Sequence, residues 1–341
     1  MSEVSPRPPL IGLRVLLALA VAVIYGLAIY AIAWLPRGDG AMVVISGAFL
    51  LAAGVGSLMT VLVDPRGERS FGQLLGYAAV ALLIVAILTI MLFIEGIICI
   101  IMAIPILLPG VSIGIAFAQI VLGWWQNRYG AFMMAALPLL VLPLEVRMDW
   151  PDYQGFVSTE IVIAAPPETV WANTVEIRDI DPATLRFTPS HGLMFFPRPL
   201  DARLDRAGAG ATRSLEWTGG IRFREHINVW EENRRLGWTF GFDPHSIPAE
   251  IDSHLRPDTE ASELLRGDYV LEPLADGRTR LVLTTYYKVS LPWNGYGRIW
   301  ANRLLTDFHS VVLDVVRQRS EAAAQVAAAP RPTARIRSGP A

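Results

Sequence analysis

The sequence predicts an α-helical membrane region followed by an α+β domain, in which a curved antiparallel sheet surrounds a long C-terminal helix. Residues 1–148 hold long apolar runs with few charged side chains, whereas the remainder has the charge density of an ordinary soluble domain. The hydrophobic period also changes near Gly155, from helical to alternating. We therefore divide the chain into a membrane domain (1–150), a soluble domain (151–322) and a disordered tail (323–341).

The membrane domain is predicted to begin with two transmembrane helices. Residues 10–35 are apolar except for Arg14, and the run is long enough for the ~30 Å hydrocarbon core of a bilayer. No small-residue cleavage site follows this run, so we interpret it as an uncleaved span rather than a signal peptide. Residues 41–63 form the second run, and the proline-containing turn 64–67 ends it.

Residues 70–127 are predicted to cross the membrane twice, because they contain a single charged side chain. The run 74–94 is long enough to span alone, and the segment 105–110, which contains two prolines, is the natural break. Residues 97–108 are then either the continuation of a tilted helix or a short re-entrant or interfacial piece. Residues 111–125 return across the bilayer.

The single charge in these two spans is Glu95. A carboxylate within the hydrocarbon costs at least ~2.5 kcal/mol on insertion scales, and such a residue is a candidate for function. The alternative is that the run 74–94 completes the span and leaves Glu95 among the lipid headgroups. Gly110 and Gly114 have the spacing of a close contact between two membrane helices.

The number of spans decides the side of the membrane on which the soluble domain lies. Residues 131–146 contain two prolines and form a marginal fifth span. The arginines near the span ends are divided between the N-terminal side (Arg7, Arg14, Arg66, Arg69, Arg128) and the other side (Arg37, Arg147). The excess of arginines on the N-terminal side favours a cytoplasmic N-terminus. We therefore expect a multi-pass protein of the bacterial inner membrane. Five spans would place the soluble domain outside the cytoplasm, and four would leave it inside.

The soluble domain is predicted as one strand, a short helix, about six further strands and a long amphipathic helix. The pairs Gly-Gly (219–220) and Asp-Gly (276–277) are hairpin turn signals. Because a curved sheet cannot bury its concave face alone, the last helix is expected to lie across it. The predicted elements are the strands 157–163, 200–206, 211–217, 221–231, 235–242, 269–274 and 280–289, and the helices 168–177 and 296–319.

Two segments and the final helix carry a specific resemblance. They are residues 162–171 (VIAAPPETVW) and 271–281 (LEPLADGRTRL), and with the helix they cover roughly 155–320. This half of the chain resembles the SRPBCC superfamily, the helix-grip fold of birch-pollen allergens, StAR-related lipid transfer domains and polyketide cyclases. These motifs define a fold rather than a catalytic site. The resemblance implies a cavity between sheet and helix that accepts a hydrophobic small molecule or lipid.

Aromatic side chains are well placed to line such a cavity, since Trp238, Phe240 and Phe242 alternate on one face of a strand. Val229 is expected to face the same interior. The alternative is that all these side chains pack a filled core. The cavity candidates are Trp217, Phe223, Glu225, Ile227, Trp238, Phe240, Phe242, Tyr269, Tyr287, Trp300 and Phe308.

Glu225 is the acidic candidate inside the domain. Strand alternation places it inward if Phe223 and Ile227 face in, and a buried carboxylate needs a partner or a raised pKa. The alternative is an outward position at a bulge or a strand edge. Residues 243–266 show no clear element, and they form either a loop that gates the cavity mouth or a variable surface excursion.

Several kinds of chemistry find no support in the sequence. A net charge of −2 without an arginine run does not favour nucleic acid, and Cys99, the only cysteine, excludes an intrachain disulfide. The five histidines (191, 226, 245, 254 and 309) lack metal-ligand spacing, and no nucleotide-binding or nucleophile motif occurs. The sequence therefore predicts no metal and no cofactor, and it assigns no catalytic residue.

Three hypotheses for function follow. The first is a membrane-tethered protein that binds or transfers a hydrophobic small molecule or lipid, with the bilayer and that ligand as its partners. The second is a protein-interaction module with an unknown partner, which would have a filled core. The third is an enzyme of the cyclase or dehydratase type, with Glu225, Tyr269 or Tyr287 as its polar groups. An apolar cavity distinguishes the first and third hypotheses from the second.

Overall fold

A computed structural model describes residues 10–34, 45–92, 96–125, 128–145, 148–248, 251 and 257–328. Five N-terminal helices come first within these ranges: α1 (Leu10–Trp34), α2 (Ile45–Val63), α3 (Phe71–Met91), α4 (Ile97–Trp125) and α5 (Arg128–Glu145). Glu95 lies outside the described residues, so both interpretations of its position stay predictions.

The N-terminal helices have the length and composition of a membrane-spanning region. In the described ranges, α1 to α4 are the four helices that are long and apolar enough to cross a bilayer, while α5 has a shorter apolar segment, Phe132–Glu145. Large apolar side chains such as Leu16, Ile24 and Leu83 are exposed on the outside of the bundle. Such a surface is expected where the solvent is lipid.

The expected break between residues 105 and 110 is wrong, because α4 continues through Pro105 and Pro109 as one helix. Residues 97–108 are therefore the first turns of α4, neither an extension of α3 nor a re-entrant piece. Membrane helices tolerate proline where neighbouring helices pack against the freed backbone groups. Here α4 packs closely on α2, where a Cβ atom on Gly110 would stand 2.5 Å from the carbonyl oxygen of Phe49. This confirms the predicted close contact.

The bundle places the soluble domain at the end opposite to the start of α1. Arg14, near the start of α1, donates from Nε to the carbonyl oxygen of Leu62, near the end of α2 (2.7 Å). Glu145, at the end of α5, accepts from the backbone N–H groups of Ser46 and Gly47 at the start of α2 (both 3.0 Å). The end of α5, after which the soluble domain follows, therefore lies at the opposite end of the bundle from the start of α1.

The soluble domain contains the predicted antiparallel sheet. In the described part of the chain it has seven strands in the order β1-β7-β6-β5-β4-β3-β2. Helices α6 (Pro167–Val175) and α7 (Pro189–Gly192) follow β1, and α8 (Asn294–Ala328) follows β7. The strands are β1 (Tyr153–Ile163), β2 (Pro199–Leu204), β3 (Thr212–Trp217), β4 (Ile221–Glu231), β5 (Arg235–Gly241), β6 (Ser262–Pro273) and β7 (Thr279–Val289).

The long helix α8 covers the sheet as predicted, with Leu313 and Val316 in the buried core. It runs to Ala328, beyond the expected end at 319, so the predicted disordered tail is wrong for residues 323–328. Alanine is the strongest helix former, and Ala324 packs against the core. The remainder of the predicted tail lies outside the described residues.

Strand β6 begins earlier than the sequence indicates, at Ser262 rather than 269. Its first residues pair with β7, and the register shifts between Leu264 and Arg266. A bulge of this kind moves the following side chains to the other face, which hides the alternation from a sequence pattern. The segment without a regular element between β5 and β6 is correspondingly shorter than 243–266.

Candidate functional site

A cavity of about 270 Å³ lies between the sheet and α8, just below the ~300–1,000 Å³ range of ligand sites. Most of its wall is apolar. The sequence-predicted candidates that border it are Trp217, Phe223, Glu225, Trp238, Phe240, Phe242, Tyr269, Tyr287, Trp300 and Phe308. Ile227 does not border the cavity, because it is fully buried in the adjoining core.

Aromatic rings form one side of the cavity. Trp217 of β3 stacks on Phe308 of α8, with 4.1 Å between ring centroids. Phe223 stacks on Phe242 at 5.2 Å and also contacts Phe240 at 6.4 Å. The indole N–H of Trp217 is buried, and it has no hydrogen-bond acceptor among the described residues.

A bulge in β4 changes the predicted orientation of one residue. The register of β4 against β5 shifts between Ile227 and Val229. As a result Trp230, and not Val229, packs against the core, where its ring meets Trp171 edge to face at 5.1 Å. The expectation that Val229 faces the interior is therefore wrong, whereas the alternation predicted for Phe223 and Glu225 is present.

A buried ion pair borders the cavity. The side chains of Arg213 and Glu225 are 3% and 5% exposed, and the Arg213 Nε donates to Glu225 Oε2 at 2.6 Å. A second guanidinium nitrogen donates to the backbone carbonyl of Thr174 at 2.6 Å. The guanidinium also lies 4.9 Å from the ring centroid of Trp238, a cation–π distance. Burial raises the pKa of Glu225, and the charge of Arg213 acts in the opposite direction.

Sequence reasoning placed Glu225 inward as one of two alternatives but missed its partner. The signal was present, because a hairpin centred on Gly219 pairs Arg213 with Glu225 directly across β3 and β4. Cross-strand pairs on one face are neighbours in space. An inward glutamate therefore implied an inward arginine.

The second polar group that the sequence did not single out is His309 of α8, which is 1% exposed. Its Nε2 lies 2.8 Å from the Thr285 hydroxyl, and its Nδ1 lies 3.2 Å from the Thr159 hydroxyl. A neutral imidazole has one donor and one acceptor nitrogen, so two hydroxyl groups satisfy it. Burial lowers the pKa of His309 to about 4.

His309 gives the stability of the domain a defined pH dependence. Its ordinary pKa is 6.5, so as the pH falls from 6.5 towards 4 the unfolded chain binds a proton that the folded chain does not. The difference between these two pKa values is worth on the order of 3 kcal/mol, which the folded state loses over this range. We expect wild type to lose more unfolding free energy than His309→Gln between pH 7 and pH 4.5, as measured by denaturant titration.

The control for this measurement is His226→Gln, since His226 is exposed on β4. It should keep the pH dependence of wild type. If the unfolding free energies of wild type and His309→Gln had the same pH dependence, this result would contradict a lowered pKa of His309 in the folded state.

The membrane region supplies part of the cavity wall. Ile98 and Met102 of α4 border the cavity together with residues of the soluble domain. The hydroxyl of Tyr296, at the start of α8, donates to the carbonyl oxygen of Met102. Ile106 packs in one cluster with Leu291 and Tyr296. No sequence pattern indicated this contact, because it joins segments that are far apart in the chain.

The segment between β5 and β6 also borders the cavity, through Ile247, Ile251, Pro257 and Thr259. Residues 249–250 and 252–256 of this segment lie outside the described ones. The described residues of the segment therefore border the cavity, as a loop that gates its mouth would. That the segment acts as a gate stays a prediction.

No protein-family model and no curated protein matches the chain. Solved structures similar to about half of it include a protein of Thermus thermophilus, which is 20% identical, with coverage of 50% of this chain and 99% of that chain and a TM-score of 0.32. An aromatase/cyclase from Streptomyces sp. R1128 is 14% identical (52% and 99% covered, TM-score 0.34). A norcoclaurine synthase point mutant from Thalictrum flavum is 11% identical (51% and 98% covered, TM-score 0.33).

These similarities are too low to transfer an activity, and the fold assignment rests on the strand order and on α8. In the described part of the chain, seven antiparallel strands are covered by one long C-terminal helix, and four apolar helices precede them. The chain thus combines a membrane region with a helix-grip domain.

Proposed function

We propose that the protein binds a hydrophobic small molecule or lipid in the cavity of its soluble domain, and that this domain is a membrane-tethered member of the SRPBCC superfamily. The observation that carries the proposal is the apolar cavity between the sheet and α8. A filled core, which the protein-interaction hypothesis requires, is at odds with it. Tethering the cavity to the bilayer raises the effective concentration of a lipid-dissolved ligand.

The polar groups at the cavity favour a ligand with an oxygen acceptor. Arg213 and Glu225 compensate each other, so the cavity carries no net charge from this pair. The buried indole N–H groups of Trp217, Trp238 and Trp300, which all border the cavity, have no acceptor among the described residues, and a ligand oxygen would satisfy one of them. Alcohols, ketones, quinones and esters with an elongated apolar body have the required chemistry.

The arrangement of the helices supports a location of the cavity outside the cytoplasm. The start of α1 and the end of α5 lie at opposite ends of the bundle. Arg14, Arg66 and Arg69 belong to the end where α1 starts, and arginine is enriched on the cytoplasmic side of membrane proteins. With the N-terminus in the cytoplasm, the soluble domain lies on the opposite side of the bacterial inner membrane.

An enzyme of the cyclase or dehydratase type is the second candidate, because Glu225 has a raised pKa at the cavity wall. Burial also raises the pKa of Tyr269, and that of Tyr287 to about 12, so both phenols keep their protons at neutral pH. A protonated tyrosine can donate to a carbonyl oxygen. The ion pair with Arg213 holds the Glu225 carboxylate, however, and this favours binding over proton transfer.

The proposal is tested by filling the cavity from α8. Leu304 borders the cavity, whereas Ile299 on the same helix does not and is 60% exposed. The full chain and the variants Leu304→Trp and Ile299→Trp are purified in mild detergent and extracted with organic solvent, and the small molecules are quantified by mass spectrometry. We expect one class of apolar molecule with wild type and Ile299→Trp, and several-fold less of it with Leu304→Trp.

A molecule retained equally by both variants would not be bound in the cavity. Extracts without any such molecule, even after incubation of the protein with membrane lipids, would contradict the proposal. Conversion of the bound molecule during the incubation would favour the enzymatic candidate.

A further inference from the structure

The first turns of α4 extend past the neighbouring helix α2. Ile106 packs with Ala48 near the start of α2, and Ala118 packs with Val61 near its end, so the two helices run in the same direction. The turns of α4 that precede Ile106 therefore project towards the soluble domain. With 29 residues at ~1.5 Å each, α4 is about 43 Å long, which exceeds the ~30 Å hydrocarbon core.

This projecting segment is apolar on two faces. Ile98 and Met102, one helical turn apart, border the cavity of the soluble domain. Ile97 and Ile104 lie on the outside of the bundle and are 40% and 44% exposed. The same short helix segment therefore joins the apolar wall of the cavity to an apolar outer surface.

The contact between the segment and the soluble domain includes a flexible side chain, that of Met102. It includes one hydrogen bond, from the Tyr296 hydroxyl to the carbonyl oxygen of Met102, and the packing of Ile106 against Leu291. Methionine is unbranched and flexible, so Met102 can change rotamer without moving the helix backbone. Gly297, which also borders the cavity, adds no side chain to this side of the wall.

We propose that the first turns of α4 are the entrance through which a bilayer-dissolved ligand passes directly between the membrane and the cavity. This inference rests on the proposed function and specifies the source of the ligand. A molecule that enters beside Met102 leaves the bilayer along an apolar helix face and is not exposed to water. A ligand taken from the aqueous phase would gain nothing from a cavity wall built by a membrane helix.

The test measures the rate at which a cysteine in the cavity is modified from each phase. Ala301 of α8 borders the cavity, so Ala301→Cys is made in the full chain with Cys99 replaced by serine, and the protein is reconstituted in phosphatidylcholine vesicles. One reagent is N-hexadecylmaleimide dissolved in the bilayer, and the other is a sulfonated, membrane-impermeant maleimide in the water. Mass spectrometry follows both reactions over time.

Variants at the entrance are then compared in the protein that carries Ala301→Cys and Cys99→Ser. We expect Met102→Trp to slow modification by the bilayer reagent about tenfold, which corresponds to ~1.4 kcal/mol of added barrier, and Met102→Ala to accelerate it. Ile120→Trp is the matched control, because it adds the same side chain to an exposed position near the other end of α4, and it should leave the rate unchanged. If Met102→Trp does not fold, the rate of modification in Met102→Ala tests the proposed entrance alone.

Two results would contradict the proposal that the first turns of α4 form the entrance. One is an unchanged rate in both Met102 variants, and the other is faster modification by the aqueous reagent than by the bilayer reagent. Either result leaves binding in the cavity intact. If neither reagent modifies Ala301→Cys, the cavity is closed to ligands from both phases, and the proposed function fails together with the entrance.

Discussion

Replacing Arg213 with methionine is expected to lower the unfolding free energy of the soluble domain by about 3–5 kcal/mol, the range found when a buried ion pair loses one partner. The substitution leaves the Glu225 carboxylate buried without its guanidinium, and it removes the donor to the carbonyl of Thr174. Denaturant unfolding of the full chain in detergent, followed by tryptophan fluorescence, measures the loss.

Two further variants show whether burial causes this effect. Arg222→Met removes an exposed arginine of the same hairpin, whose pair with Glu216 lies in solvent, and it should leave stability almost unchanged. The double variant Arg213→Met/Glu225→Leu should recover most of the loss, because no uncompensated charge remains. If Arg213→Met were as stable as Arg222→Met, this result would contradict a buried ion pair between Arg213 and Glu225.

Replacing Gly114 with alanine is expected to destabilise the membrane region, at the upper end of the ~1–3 kcal/mol typical of overpacking. A Cβ atom at this position would overlap the carbonyl oxygen of Ala53 on α2. That oxygen belongs to a helix backbone, so it cannot move aside as a side chain would. The midpoint of thermal unfolding in detergent, followed by circular dichroism, should fall.

Gly123 provides the control on the same helix, since a Cβ atom there would meet nothing within 4 Å. Gly123→Ala should leave the midpoint unchanged or raise it slightly, because alanine favours the helix. Equal effects of the two substitutions would show that α2 and α4 do not pack through Gly114.

Local patterns in the sequence were sufficient for most of the fold. The charge distribution indicated the apolar helices, and the turn signals at 219–220 and 276–277 fixed two hairpins, which the strand order confirms. The predicted break in α4 failed because the rule that proline ends a helix describes helices in water, whereas a membrane helix tolerates proline, and α4 continues through Pro105 and Pro109. The start of β6 was missed because a bulge interrupts its alternation.

The candidate site was predictable where it follows strand alternation and hidden where it depends on distant contacts. The aromatic residues of β5 could be placed on one face from their spacing alone. By contrast, Met102 borders the cavity through its contact with Tyr296, and His309 is held by hydroxyls from two strands. Such contacts join segments far apart in the chain, so a local pattern does not reveal them.

The most direct test of the central claim is an experimental density map of the full chain, purified from membranes in lipid nanodiscs. We expect elongated density between the sheet and α8, with contacts along the aromatic side of the cavity. Side chains that close the space completely, with no density apart from the protein, would show a filled core and would contradict the account.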